Sequence, residues 1–158
     1  QIMASQDACG VKRGLPGGDP SLLVEPPIEQ FRADYVFLTP DKYVFDFISI
    51  VAPPDTVILF DDIPLESLSC ESAPADGLTA KQRGSDTPPF VVHRCQLSFP
   101  AIDPLKSAPD NVALGVQNDG VHRLVASQPV GVVVIGFDSF VSYAYAGGTD
   151  LNEITTPE

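Results

Sequence analysis

The sequence predicts an all-β fold, an antiparallel β-sandwich with a jelly-roll-like or partly open barrel as the alternative. Short apolar runs rich in β-branched and aromatic residues recur between turn signals every 8 to 15 residues, with no helical segments between them. Sixteen prolines and twelve glycines punctuate the chain, and no stretch sustains the 3.6-residue apolar period of a long helix. No fixed-period repeat or low-complexity tract points to a propeller or solenoid. At 158 residues the chain fits one domain, long enough to bury most of the apolar surface of its unfolded state.

Residues 1–27 form an irregular lead-in of turn formers, KRGLPGGDPS. Gly14, Gly17 and Gly18 lack the Lys-Ser or Lys-Thr that would make a phosphate loop. Residues 28–148 form the β domain. Ile28 to Arg32 is one helical turn, Tyr35 to Leu38 the first strand, and Thr39-Pro40-Asp41-Lys42 a turn with Pro at its second position. Tyr43 to Val51 reads as a strand inside a sheet, little exposed on either face. Asp46 is its anomaly, since a buried carboxylate must be hydrogen-bonded, paired or binding something to offset desolvation.

Ala52-Pro53-Pro54-Asp55 ends that strand, Thr56 to Phe60 makes another, and Asp61-Asp62 turns the chain into Ile63-Pro64-Leu65. Glu66 to Pro89 is polar and is the longest stretch without a strand or helix pattern. In Phe90 to Phe99 the alternation puts Val91, His93, Cys95, Leu97 and Phe99 toward the core. Asn118-Asp119-Gly120 supplies a tight turn joining Val112–Gln117 to Val121–Ala126 as a hairpin. Gln128-Pro129 breaks the chain before Val130 to Phe137, a central strand covered on both faces. A glycine-tyrosine loop, 138–148, follows, and 149–158 is a polar exit linker toward another domain.

Nine basic against 21 acidic side chains leave a net charge of -12, which repels the phosphates of nucleic acids and anionic membranes. No apolar run reaches the ~20 residues that cross a bilayer as a helix, so membrane insertion is not expected. The first ten residues lack the basic-then-apolar order of a signal peptide, so any export signal lies upstream or has been removed.

Three cysteines without a CxxC or a His ligand pair argue against structural zinc. A Cys70–Cys95 disulfide would close the polar loop between them, leaving Cys9 unpaired or joined to an external partner. The alternative is three reduced thiols, with Cys95 simply buried on its strand.

An enzyme needs a nucleophile, a base and a means of holding developing charge, and no such set is recognisable, so no catalytic residue is assigned. His122 reads as a structural hydrogen bonder. His93, on the same face as Cys95, is a candidate thiol partner only if that cysteine is free. The carboxylates Asp61, Asp62, Asp103, Asp110 and Asp138 are possible calcium ligands, but they lack EF-hand or repeat spacing. No metal site or other cofactor is assigned. Tyr143 and Tyr145, near Phe140 and Asp138, are the binding candidates, as a platform on which a sugar would stack or as part of the sheet's own core.

Several segments together resemble the IgGFc-binding family, a module of large mucus and bacterial surface proteins. They are YVFLTP from Tyr35, VILFDDIPL from Val57, Gly120-Val121-His122, PVGVVVIGF from Pro129 and SYAYAGG from Ser142. Three departures stand out: Asp62 in place of a glycine, Ile135 in place of a tyrosine and Ala146 in place of a proline. The resemblance implies a non-catalytic, exported, all-β adhesion or scaffolding module. Its partners would be proteins or glycans at a surface or in a matrix, beside neighbouring domains of the same polypeptide.

Overall fold

The computed structural model describes residues 18–41, 43–103, 105–106 and 112–150. Cys9, most of the lead-in, Lys42, Asp110 and the exit segment beyond 150 lie outside the described residues. Among the described residues nine strands form: β1 Arg32–Thr39, β2 Phe45–Ala52, β3 Ile58–Phe60, β4 Ile63–Pro64, β5 Cys70–Pro74, β6 Val91–Ile102, β7 Val112–Val116, β8 Gly120–Asp138 and β9 Val141–Ala146. All pairings are antiparallel. The strands run β4-β3-β8-β2-β6-β5, with β1 and β9 also on β8 and β7 also on β6, in one sheet curled into a half-barrel.

The spine is β8, 19 residues long. Its first part pairs with β1 and β3, and its second part, from Gly131, with β2 and β9. The curled sheet therefore has two leaves that share one strand. The predicted break at Gln128-Pro129 is a change of partners within a continuous strand. Ser127, Gln128 and Pro129 are exposed there, and Pro129 appears in none of the registers of β8, so its missing N–H breaks no ladder bond. Val130 to Val134 are all buried, as the apolar run predicts.

The predicted hairpin of Val112–Gln117 with Val121–Ala126 does not form. Instead β7 pairs with β6, Phe99 facing Val116, while β8 opens against β1. A two-residue type I′ turn needs positive φ at both central residues, and of the Asn-Asp-Gly triplet only Gly120 has it, at φ 113. Asn118 and Asp119 instead form a corner between the leaves. Asn118 N–H donates to Ser98 Oγ at 3.1 Å and Thr39 Oγ1 donates to Asn118 O at 3.0 Å. A true two-residue turn lies at Asp61-Asp62, with φ 48 and 62, where Phe60 of β3 faces Ile63 of β4. Aspartate tolerates this left-handed geometry well enough to stand where the related motif has glycine.

On β6 the inward alternation holds through Cys95 and Leu97 and then slips. Asp46 faces Ser98 and Phe47 faces Gln96, so Leu97 is an extra residue in a bulge and Ser98 is buried beside it. Phe99, expected in the core, is turned outward. The polar 66–89 stretch is also more ordered than predicted. It holds edge strand β5 and a one-turn helix, α1 (Ala80–Arg83), whose Thr79 and Gln82 form a capping box and whose Gly84 ends it at φ 75.

The core sits between the leaves and joins Tyr35 and Phe37 of β1, Ile48 and Ile50 of β2, Phe60 of β3, Leu97 of β6, and Leu124, Val132 and Val134 of β8. The outer face of β2 is half-covered by the stacked rings of Phe45, Phe47 and Phe137. The Cys70–Cys95 disulfide is present and joins directly opposed residues of β5 and β6.

Candidate functional site

The 138–148 segment is a hairpin, because β9 pairs with β8 from Asp138–Val141 to Val133–Ala146. This separates the four binding candidates. Tyr143 and Tyr145 turn inward and pack against the core. The Tyr145 hydroxyl donates to Leu38 O and accepts from Leu38 N–H at 3.1 Å, pinning the edge of β1 to β9 across the curled sheet. Asp138 and Phe140 stay at the tip, where Asp138 Oδ1 accepts the Ser139 N–H at 2.6 Å. Phe140 is 75% exposed at φ 59, a left-handed conformation that is a genuine outlier for a bulky side chain.

Beneath the tip, a polar row crosses the inner face of the second leaf. Tyr143 on β9, Gly136 on β8, Asp46 on β2 and Ser98 on β6 stand side by side in register. Gly136 is required there. A Cβ on it would lie 2.5 Å from Asp46 Oδ1 and 2.6 Å from Tyr143 Cζ, so the missing side chain is what lets the ring pass over the strand. The Tyr143 hydroxyl then donates to Asp46 Oδ1 at 2.5 Å. This is the partner that a buried aspartate needs, and Asp46 is 0% exposed.

The partnership is incomplete, because Asp46 Oδ2 has no hydrogen-bond partner. Burial pushes the Asp46 carboxyl above its usual range and the negative charge of Asp119 adds to the rise, while the Tyr143 and Ser98 hydroxyls pull it back. Burial, and then the hydrogen bond to Asp46, also raise the Tyr143 phenol. A carboxyl raised in the folded state is protonated in both states below the unfolded value of about 3.9. Stability is therefore fully present there and falls as pH rises toward and through the folded value. Asp46→Asn is expected to remove this falling component, so that the difference between variant and native urea midpoints grows from pH 3.5 to 7.5. A constant difference would show that Asp46 does not titrate differently in the two states.

The row continues through the corner. Ser98 Oγ donates to Asp119 Oδ1 at 3.3 Å, and Asn118 O lies 3.0 Å from His122 Nε2. Nε2 is also 2.9 Å from Thr39 Oγ1, and Nδ1 is 2.7 Å from Asp61 Oδ2. His122 is thus the structural hydrogen bonder read from the sequence, 3% exposed between Phe37 and Phe60. Asp61 also accepts the Arg123 N–H at 2.8 Å. The carboxylates considered for calcium are set to separate tasks: Asp61 holds His122, Asp103 accepts the Leu105 N–H, and Asp138 caps its own turn. Among the described residues, no three His, Cys, Asp or Glu side chains gather to hold a metal.

Ser98, Thr39 and Asp119 were not legible as site residues, since single polar residues in β segments carry no local signal. The same holds for a cavity of about 180 Å³ between the ends of the curled sheet, lined by Thr56, Ile58, Leu65, Cys70, Ser72 and His93. His93 Nδ1 lies 2.8 Å from Ser72 Oγ there. Its pairing with a free Cys95 thiol is excluded by the disulfide.

Among the described residues no helix is long and apolar enough to cross a membrane. No curated protein and no solved structure matches the chain. A family model does: the one described as IgGFc binding protein matches residues 1–136, from the lead-in to Gly136 of β8.

Proposed function

The chain belongs to the IgGFc-binding protein family, and on that premise we propose that it is a non-catalytic extracellular adhesion or scaffolding module of a larger surface or matrix protein. It touches a protein or glycan partner through the β8–β9 tip, with Asp138 and Phe140 as the contact residues. Tyr143 and Tyr145 support that tip from inside. Family membership supports a binding role, and its placement at the tip rests on a single observation, the exposed ring of Phe140 on left-handed backbone. Holding a phenylalanine there costs about 1–3 kcal/mol, and three quarters of the residue stays exposed. Backbone strain at a mostly exposed aromatic side chain supports a contact role.

The test separates strain from contact. Phe140→Gly should raise the melting midpoint of the free protein, because glycine adopts positive φ without a Cβ clash. The same variant should lose any ligand-induced rise in midpoint, since only ligands bound by the native state produce one. Melts with immunoglobulin Fc, mucin glycopeptides and calcium supply the ligands. A ligand whose shift survives Phe140→Gly unchanged would place its site elsewhere on the module.

A further inference from the structure

We propose that Cys70 is a thiol–disulfide exchange site, the sulfur at which a thiol from outside the domain enters the Cys70–Cys95 bond through the cavity between β3 and β5. This is independent of the contact role given to the hairpin tip. The two cysteines are unequally exposed. Cys95 is 0% exposed on β6, which is flanked by β2 and β5, whereas Cys70 is partly exposed on an edge strand that ends the strand order. It lines the 180 Å³ cavity on one side and, on the other, a shallow depression that it shares with Phe47, Glu71 and Arg94. Exchange requires approach to the attacked sulfur, and of the two cysteines Cys70 is the one with exposed surface and a cavity beside it.

The next residue pair on that face of the ladder supplies a base. Cys70 faces Cys95, and two residues on Ser72 faces His93, so imidazole and disulfide share one wall of the cavity. Burial holds His93 below the usual imidazole value, which keeps the ring neutral at pH 7. In the tautomer that donates Nδ1–H to Ser72 Oγ, 2.8 Å away, the lone pair is on Nε2. Glu66 is the other titratable group lining the cavity.

The step balances without an oxidant or reductant. His93 takes the proton of the incoming thiol, and the thiolate forms a bond to Cys70 Sγ. The Cys70–Cys95 bond breaks, Cys95 Sγ leaves with the electron pair, and it receives the proton back from His93. A mixed disulfide at Cys70 and a buried Cys95 thiol result, in one stoichiometric event. The backbone ladder of β5 on β6, from Cys70 to Pro74, is a second link between the two strands beside the sulfur bond.

The test uses the full chain carrying Cys9→Ser, under native conditions. One arm contains reduced glutathione and a second a cysteine-containing peptide, each quenched with N-ethylmaleimide and mapped by mass spectrometry. The expected result is one adduct on Cys70 and maleimide on Cys95. A faster glutathione arm identifies small thiols as the reactants, and a faster peptide arm identifies protein thiols. His93→Gln should slow the reaction about 10-fold near pH 7, less than a full general-base effect because thiols are already partly ionised. The rates should converge above pH ~8.5, where the thiolate forms unaided. Ser72→Ala, which leaves the ring but not its tether, should show a smaller slowing of the same pH dependence. An adduct on Cys95, a rate that tracks global unfolding in denaturant, or an unchanged rate in His93→Gln would overturn the assignment.

Discussion

Gly136→Ala is expected to lower the unfolding free energy by about 2–6 kcal/mol, with the loss read as a large fall in the urea midpoint. The first contribution is steric. The new methyl would meet the Tyr143 ring and Asp46 Oδ1 within 2.6 Å, and overpacking of this kind costs about 1–3 kcal/mol. The second is polar. Moving the ring away breaks the bond from the Tyr143 hydroxyl to Asp46, and a buried group left without its partner costs about 1–3 kcal/mol more. Asp46 Oδ2 already lacks a partner, and Oδ1 would then lose its bond from Tyr143. Little relief is available, because Gly136 sits between β2 and β9 on the spine strand and cannot move without disturbing both. An unchanged midpoint would mean that the ring does not lie over Gly136 in solution.

Loss of the disulfide is the second large effect. The double variant Cys70→Ala, Cys95→Ala opens a loop with a sequence separation of 25, and the chain-entropy relation puts the cost at about 3.5 kcal/mol. The effect should appear as a lower denaturant midpoint, accompanied by a changed denaturant slope because the unlinked unfolded chain expands further. The edge strand β5 carries the local consequence. It pairs only with β6 and ends on Pro74, so without the covalent link its amides should exchange with solvent earliest in the second leaf. A midpoint equal to that of the native protein would show that the bond does not form in solution. Both variants are read by equilibrium unfolding, so neither outcome depends on the exchange chemistry proposed for Cys70.

Most of the strands were legible in the sequence. The runs at Tyr35, Tyr43, Thr56, Phe90 and Val130 all became strands, because alternation and β-branching describe a pleated surface whichever strand lies beside it. The Cys70–Cys95 bond, the need of Asp46 for a partner and the structural role of His122 were equally accessible. Each follows from a residue type that is costly to bury or reactive when free.

Pairing was less legible. Asn118-Asp119-Gly120 carries the local chemistry of a tight turn, yet β7 left β8 for β6 because Ser98 and Thr39, distant in the chain, hold the triplet as a corner. Pro129 reads as a stop, and β8 runs through it because the strand changes partners there. Leu97 and Ser98 point the same way only because a bulge opens opposite Asp46 and Phe47.

The sequence by itself determined the β class, the approximate strands, one disulfide and the requirement that Asp46 be satisfied. These are properties of short windows and of single residues, set by backbone sterics and desolvation. Only the tertiary structure decided which strands neighbour one another, and with that which polar groups meet: Tyr143 over Gly136 onto Asp46, and Ser72 beside His93 at the disulfide. A ladder's register is fixed by the joint packing of segments far apart in the chain, and no single segment carries the free energy that selects its partner.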